Sequence, residues 1–171
     1  MAQRIHSDTA LIPELVRAQA VPIVATLAGS AMAWLPIVST VPIVPPLGFM
    51  MLLGWRLLRP ELWPAWIGIP LGLADDLLSG QPLGTGVFLW TSILLTLDGL
   101  DAQRLWRDYW LDWLVAIVAI LLYLTGAWWA SAPDATRLPF VVMLPQMMVS
   151  ILSFPIIVRL CVRLDRWRLP L

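Results

Sequence analysis

The side chains equipped for acid–base, metal or phosphate chemistry in this 171-residue chain are eleven carboxylates and eleven arginines, joined by one histidine (His6), one cysteine (Cys161) and no lysine. Two acidic groups stand out. Asp98, Asp101, Asp108 and Asp112 follow one another closely, and the last two share one helix face at four-residue spacing, where a pair of carboxylates could hold a divalent cation. Asp75 and Asp76 sit in an otherwise apolar stretch. Being adjacent they point apart, so they cannot form a protease-type dyad. A single histidine cannot nucleate a histidine metal site, and a single cysteine cannot close an intramolecular disulfide. Gly-x-Ser-x-Gly, His-Glu-x-x-His and a lysine-bearing phosphate loop are all missing. The residue types therefore predict no catalytic site, no metal site and no cofactor. With balanced charge, nothing predicts a nucleic-acid partner.

The elements that must carry these residues follow from composition. Sixty per cent of the chain is hydrophobic and 13% charged, whereas a soluble domain carries about 25% charged residues. Too little charge is present to cover a solvated surface. Residues 18–55, 77–97, 113–133 and 138–158 contain no Asp, Glu, Lys or Arg, and about 20 apolar residues cross a bilayer as a helix. Six transmembrane helices are predicted, near 18–36, 41–58, 62–79, 83–101, 110–131 and 138–160. Helices are required because backbone groups in lipid must bond within their own segment. Kinks are expected in the third and sixth helices, which contain prolines.

A short N-terminal tail (1–17), a six-helix domain (18–160) and a basic C-terminal tail (161–171) complete the predicted organisation. The tail at 1–17 lacks the apolar core of a signal peptide. If both termini are cytoplasmic, ten of the eleven arginines fall inside and Arg137 alone outside, as the positive-inside rule requires. Arg159, Arg163, Arg166 and Arg168 form the basic tail, either touching anionic headgroups or docking a cytoplasmic partner. Trp34, Trp55, Trp63, Trp66, Trp106, Trp110, Trp128 and Trp129 lie near span ends, where an interfacial aromatic belt belongs.

Within the third helix and its turn, Gly68, Gly72, Asp76, Gly80 and Gly84 recur every four residues. Such steps stay on one helix stripe, and small residues there admit a neighbouring backbone. Asp76 is predicted on that packed side, bonded to a neighbouring helix or to turn amides. Asp75, about 100° away, is expected to be wetted by headgroup water. Ser79 to Gly84, with Pro82 inside, reads as a tight hairpin turn.

The run Gly72-Leu73-Ala74-Asp75-Asp76-Leu77-Leu78-Ser79-Gly80-Gln81-Pro82-Leu83-Gly84 resembles the signature of the rod shape-determining MreD family, Asp76 taking the family's aspartate position and Asp75 being extra. The resemblance implies a non-enzymatic subunit of the bacterial cell-elongation complex in the inner membrane. It would contribute to cell shape and lateral peptidoglycan synthesis by binding MreC, with MreB and RodA with its transpeptidase as further partners, besides membrane lipid. It also implies an arrangement similar to the S-components of energy-coupling-factor transporters. The segment from Asp98 to Asp112 is similar to CDP-alcohol phosphatidyltransferases, but Gln103, Leu95 and Arg104 stand where that family's pattern needs other residues.

Two functions of different class remain: a scaffold acting through helix faces, and a small-molecule carrier of the S-component type. A carrier needs convergent polar groups. The spans offer few, Asp75, Asp76, Gln81, Thr85, Thr91, Ser92, Thr96, Gln146 and Ser150 being those singled out, and most can bond their own helix. The scaffold is favoured; self-association is left open.

Overall fold

The structure, a computed structural model, describes residues 19–34, 44–101, 109–131 and 139–168. The tail 1–17, the first turn near Pro36 to Pro42, Trp106, Asp108 and arginines 104, 107 and 137 lie outside the described residues. Every described element is a helix, a single 3-10 turn or a connection between them. In order they are α1 (Gln19–Ala31), α2 (Leu47–Leu58), α3 (Gly68–Ser79), α4 (Thr85–Asp101), α5 (Tyr109–Ala130) and α6 (Leu144–Arg168).

Two of these helices are long and apolar enough to cross a membrane: α5, and α6 together with the 3-10 turn before it. Neither is a core helix, since only a minor share of each apolar window is buried. The others are shorter than a bilayer-length span. α2 replaces the longer helix expected at 41–58: Pro45 and Pro46 directly precede it, and it has only 12 residues. From Gly48 to Arg56 every residue is buried, so α2 is enclosed by its neighbours. An enclosed helix need not match the hydrocarbon thickness, because broken backbone is tolerated where protein covers it.

Around α2 the core is built from Phe49, Met50, Leu52, Leu53 and Trp55, meeting Trp90 and Leu94 of α4, Ile120 and Tyr123 of α5, and Phe154 and Cys161 of α6. Trp55 and Trp63 are interior residues, a correction to their predicted interfacial place; Arg168 covers the Trp55 ring at 5.3 Å. Trp66, Trp110, Trp129 and Trp167 are outward-facing.

Pro70 falls in the first turn of α3, where an amide has no helical acceptor to lose. The cause expected to kink that helix is therefore absent. Pro155 alone lies well inside its helix. The sixth helix also does not stop near 160: it continues unbroken through Arg168.

Candidate functional site

Three clusters hold the polar residues singled out above, and they lie at two opposite ends of the bundle.

The first is the α3–α4 hairpin. On α3 the buried positions are Gly68, Leu71, Gly72, Asp75 and Asp76, while Ile69, Leu73 and Leu77 face outward. The two small residues bring α4 against α3 backbone to backbone. A Cβ at Gly72 would lie 2.7 Å from the Gly86 carbonyl, and one at Gly68 would lie 2.8 Å from the Thr91 amide. Gly80 and Gly84 serve differently from their predicted role. They have open space around them and φ of +70° and +97°, a left-handed conformation that glycine adopts without a Cβ clash. They end α3 and turn the chain into α4, with Pro82 exposed between them and its carbonyl accepting from the Thr85 amide at 3.1 Å.

Asp76, 1% exposed, closes this turn. Its Oδ2 accepts from the Gly84 amide at 2.8 Å and its Oδ1 from the Gly86 amide at 2.7 Å. These amides open α4, so the carboxylate of one helix caps the N-terminus of the next, where negative charge is favoured. Sequence spacing pointed to Gly68, Gly72 and Asp76. It missed Gly86, whose proximity to Asp76 only the antiparallel pairing creates.

The second cluster surrounds Asp75. It is 5% exposed, a correction to the expectation that headgroup water wets it. A buried helix face is more than 100° wide, so one residue of rotation from Asp76 does not bring a side chain off it. Asp75 Oδ2 accepts from the Tyr123 hydroxyl at 3.2 Å, and the Tyr123 hydroxyl oxygen in turn accepts from Gln81 Nε2 at 3.2 Å. Phe49 stacks on the Tyr123 ring at 4.4 Å and 11°. Gly48 makes room: a Cβ there would lie 3.0 Å from Asp75 Oδ1 and would collide with the Ser30 hydroxyl. Asp75, Tyr123, Gln81 and Gly48 line a cavity of about 220 Å³ with Ser30, Ser79, Gln146 and residues at the end of α1 and before α2. Tyr123 was detectable in principle, as the one phenol inside an uncharged 21-residue run (113–133).

Several other polar residues of the spans bond their own helix. Thr96 donates to the Ser92 carbonyl and Ser150 to the Gln146 carbonyl.

The third cluster lies at the other end. Arg56 of α2, 3% exposed, reaches Asp98 at 2.6 Å and Asp101 at 2.8 Å on the last turn of α4. Those two aspartates are thus held by an arginine. Asp165 binds Arg59 at 3.1 Å and Arg168 at 2.8 Å. Arg168 is therefore interior, a correction to its place in an exposed tail, because Asp165 three residues earlier and the Trp55 ring both hold it. Arg159, Arg163 and Arg166 are exposed and continue the outward stripe of Leu152 and Ile156.

No protein-family model matches this chain, and no characterised protein or solved structure matches it either.

Proposed function

We propose that this chain is a multi-pass protein of the bacterial inner membrane, its six helices crossing with both termini cytoplasmic, and a non-enzymatic subunit of the cell-elongation machinery. It joins wall-synthesis proteins, MreC first among them, through its helix faces. The observation that carries this is the use made of the motif resembling the MreD signature. Asp76 is spent on capping α4, Gly72 on close approach, and Gly80 and Gly84 on the turn. Such a motif builds a closely packed hairpin, its residues spent on holding two helices together.

Membrane residence is supported by the outward faces. Ile69, Leu73 and Leu77 on α3, Trp110, Leu114, Val118 and Leu122 on α5, and Met148, Leu152 and Ile156 on α6 are all exposed at four-residue steps. Contiguous apolar surface on this scale marks contact with lipid or with other helices. An S-component-like arrangement remains part of the proposal.

Depletion in the host is expected to round rod-shaped cells, and affinity purification in detergent is expected to recover MreC. Normal rods with no recovered partner would refute the scaffold. The exposed Arg159, Arg163 and Arg166 separate headgroup contact from docking: their Glu substitutions, once correct insertion is verified, lower complex recovery only if the tail docks a partner.

A further inference from the structure

The cavity beside Asp75 is lined by side-chain oxygens of Ser30, Asp75, Ser79, Gln81, Tyr123 and Gln146. Several of its polar groups are engaged with one another: Gln81 Nε2 donates to the Tyr123 hydroxyl, that hydroxyl to Asp75 Oδ2, and Gln146 Nε2 to the Val44 carbonyl at 2.6 Å. The Ser30 and Ser79 hydroxyls also line the cavity, buried without a partner and able to accept as well as donate. Gln81 Oε1 is likewise buried with no partner, and Asp75 and Gln146 bring their own side-chain oxygens to the lining. An unpaired buried acceptor costs free energy until a donor reaches it.

Asp75 is the one acidic side chain among the described residues of the lining. No arginine lines the cavity among the described residues, where the arginines lie on α2, directly after it and on α6, toward the opposite end of the bundle. Among the described residues, no arginine therefore stands beside Asp75. No third His, Cys, Asp or Glu joins Asp75 and Asp76 among the described residues to make a metal cluster. The guest that fits is positively charged and rich in N–H donors, and an ammonium group carries three. The volume of about 220 Å³ exceeds the roughly 150 Å³ that admits benzene, enough for an ammonium on a short carbon chain.

We propose that this cavity binds a protonated primary amine, with Asp75 and the oxygens of Gln81 and Gln146 as its acceptors. The amine could belong to a free small molecule or to a lipid headgroup. The proposal stands on the cavity alone and does not depend on the scaffold function.

Full-length protein in a phosphatidylcholine-based detergent mixture provides the test. Butylammonium is expected to raise its thermal midpoint saturably. Tetramethylammonium, a charge without N–H groups, should bind at least tenfold more weakly, and butyrate should not bind. Asp75→Asn, nearly isosteric, should cost tenfold or more in butylammonium affinity. Its folding is checked by Cys161, which is fully buried and should resist maleimide. If that variant unfolds, Gln81→Met at the turn removes an acceptor and should weaken binding several-fold. Native mass spectrometry of protein from phosphatidylethanolamine or phosphatidylcholine nanodiscs then identifies the source. Retained phosphatidylethanolamine that butylammonium displaces assigns a lipid amine; butylammonium binding without lipid retention assigns a free one. Equal responses to butylammonium and tetramethylammonium, saturable butyrate binding, unchanged affinity in folded Asp75→Asn, or binding of neither amine source would overturn the proposal.

Discussion

Two neighbouring aspartates of α3 do different work although both are buried. Asp76 accepts from two amides at the start of α4, those of Gly84 and Gly86, whereas Asp75 receives one bond from a phenol that keeps Gln81 as a second partner. Charge-assisted bonds contribute about 1.5–3 kcal/mol each in soluble proteins, but polar contacts measured in a membrane bundle average nearer 0.6. Asp76→Leu is therefore expected to cost about 1–3 kcal/mol and Asp75→Leu less, as read from unfolding in mixed detergent micelles. The yield of intact partner complex should follow the same order. Equal losses would show that capping α4 is not what Asp76 contributes.

Between elements, burial of apolar surface cannot drive association where lipid is as apolar as leucine, so close packing and polar bonds must hold the helices. The α3–α4 pair meets this need at Gly72 and Gly86. Gly72→Ala places a methyl against a backbone carbonyl that cannot rotate away, and overpacking of this kind costs about 1–3 kcal/mol. Gly99→Ala on the same hairpin meets open space and should be neutral, or stabilising by up to about 1 kcal/mol through helix propensity. Unfolding midpoints of the two alanine variants check the contrast. Arg56 fastens α2 to α4 by a different means, one guanidinium forking to two carboxylates. Arg56→Met leaves both unpaired. Asp98 and Asp101 are partly exposed, so the loss should be about 1–3 kcal/mol, below that of a fully buried pair. Arg56→Lys should recover only part of it, since an ammonium lacks the fork.

For the whole molecule, polar contacts collect at the two ends and large apolar side chains face outward along α3, α5 and α6. Reporter fusions at the two termini are expected to read out on the same, cytoplasmic side; opposite sides would exclude an even number of crossings. Trp66, Trp110, Trp129 and Trp167, each more than 60% exposed, should account for most fluorescence quenching by brominated lipid. Cys161 reports on global integrity, reacting with maleimide in strong detergent and hardly at all in the folded protein.

Composition alone determined that the chain is helical and apolar, because charge is too scarce to cover a solvated surface and uncharged runs are long enough to cross lipid. Four-residue spacing also sufficed for Gly68, Gly72 and Asp76, since helix periodicity places such residues on one side whatever packs there. The rest depended on which helices meet. Enclosure by its neighbours let α2 be short; the width of the buried face drew Asp75 inside; and Tyr123, Gln81 and Gly48, from three separate segments, became neighbours of that carboxylate. Arg168 likewise became interior because Asp165 and Trp55 sit beside it. Spacing along a chain carries information about one helix at a time, and contacts between helices arise only when all of them pack.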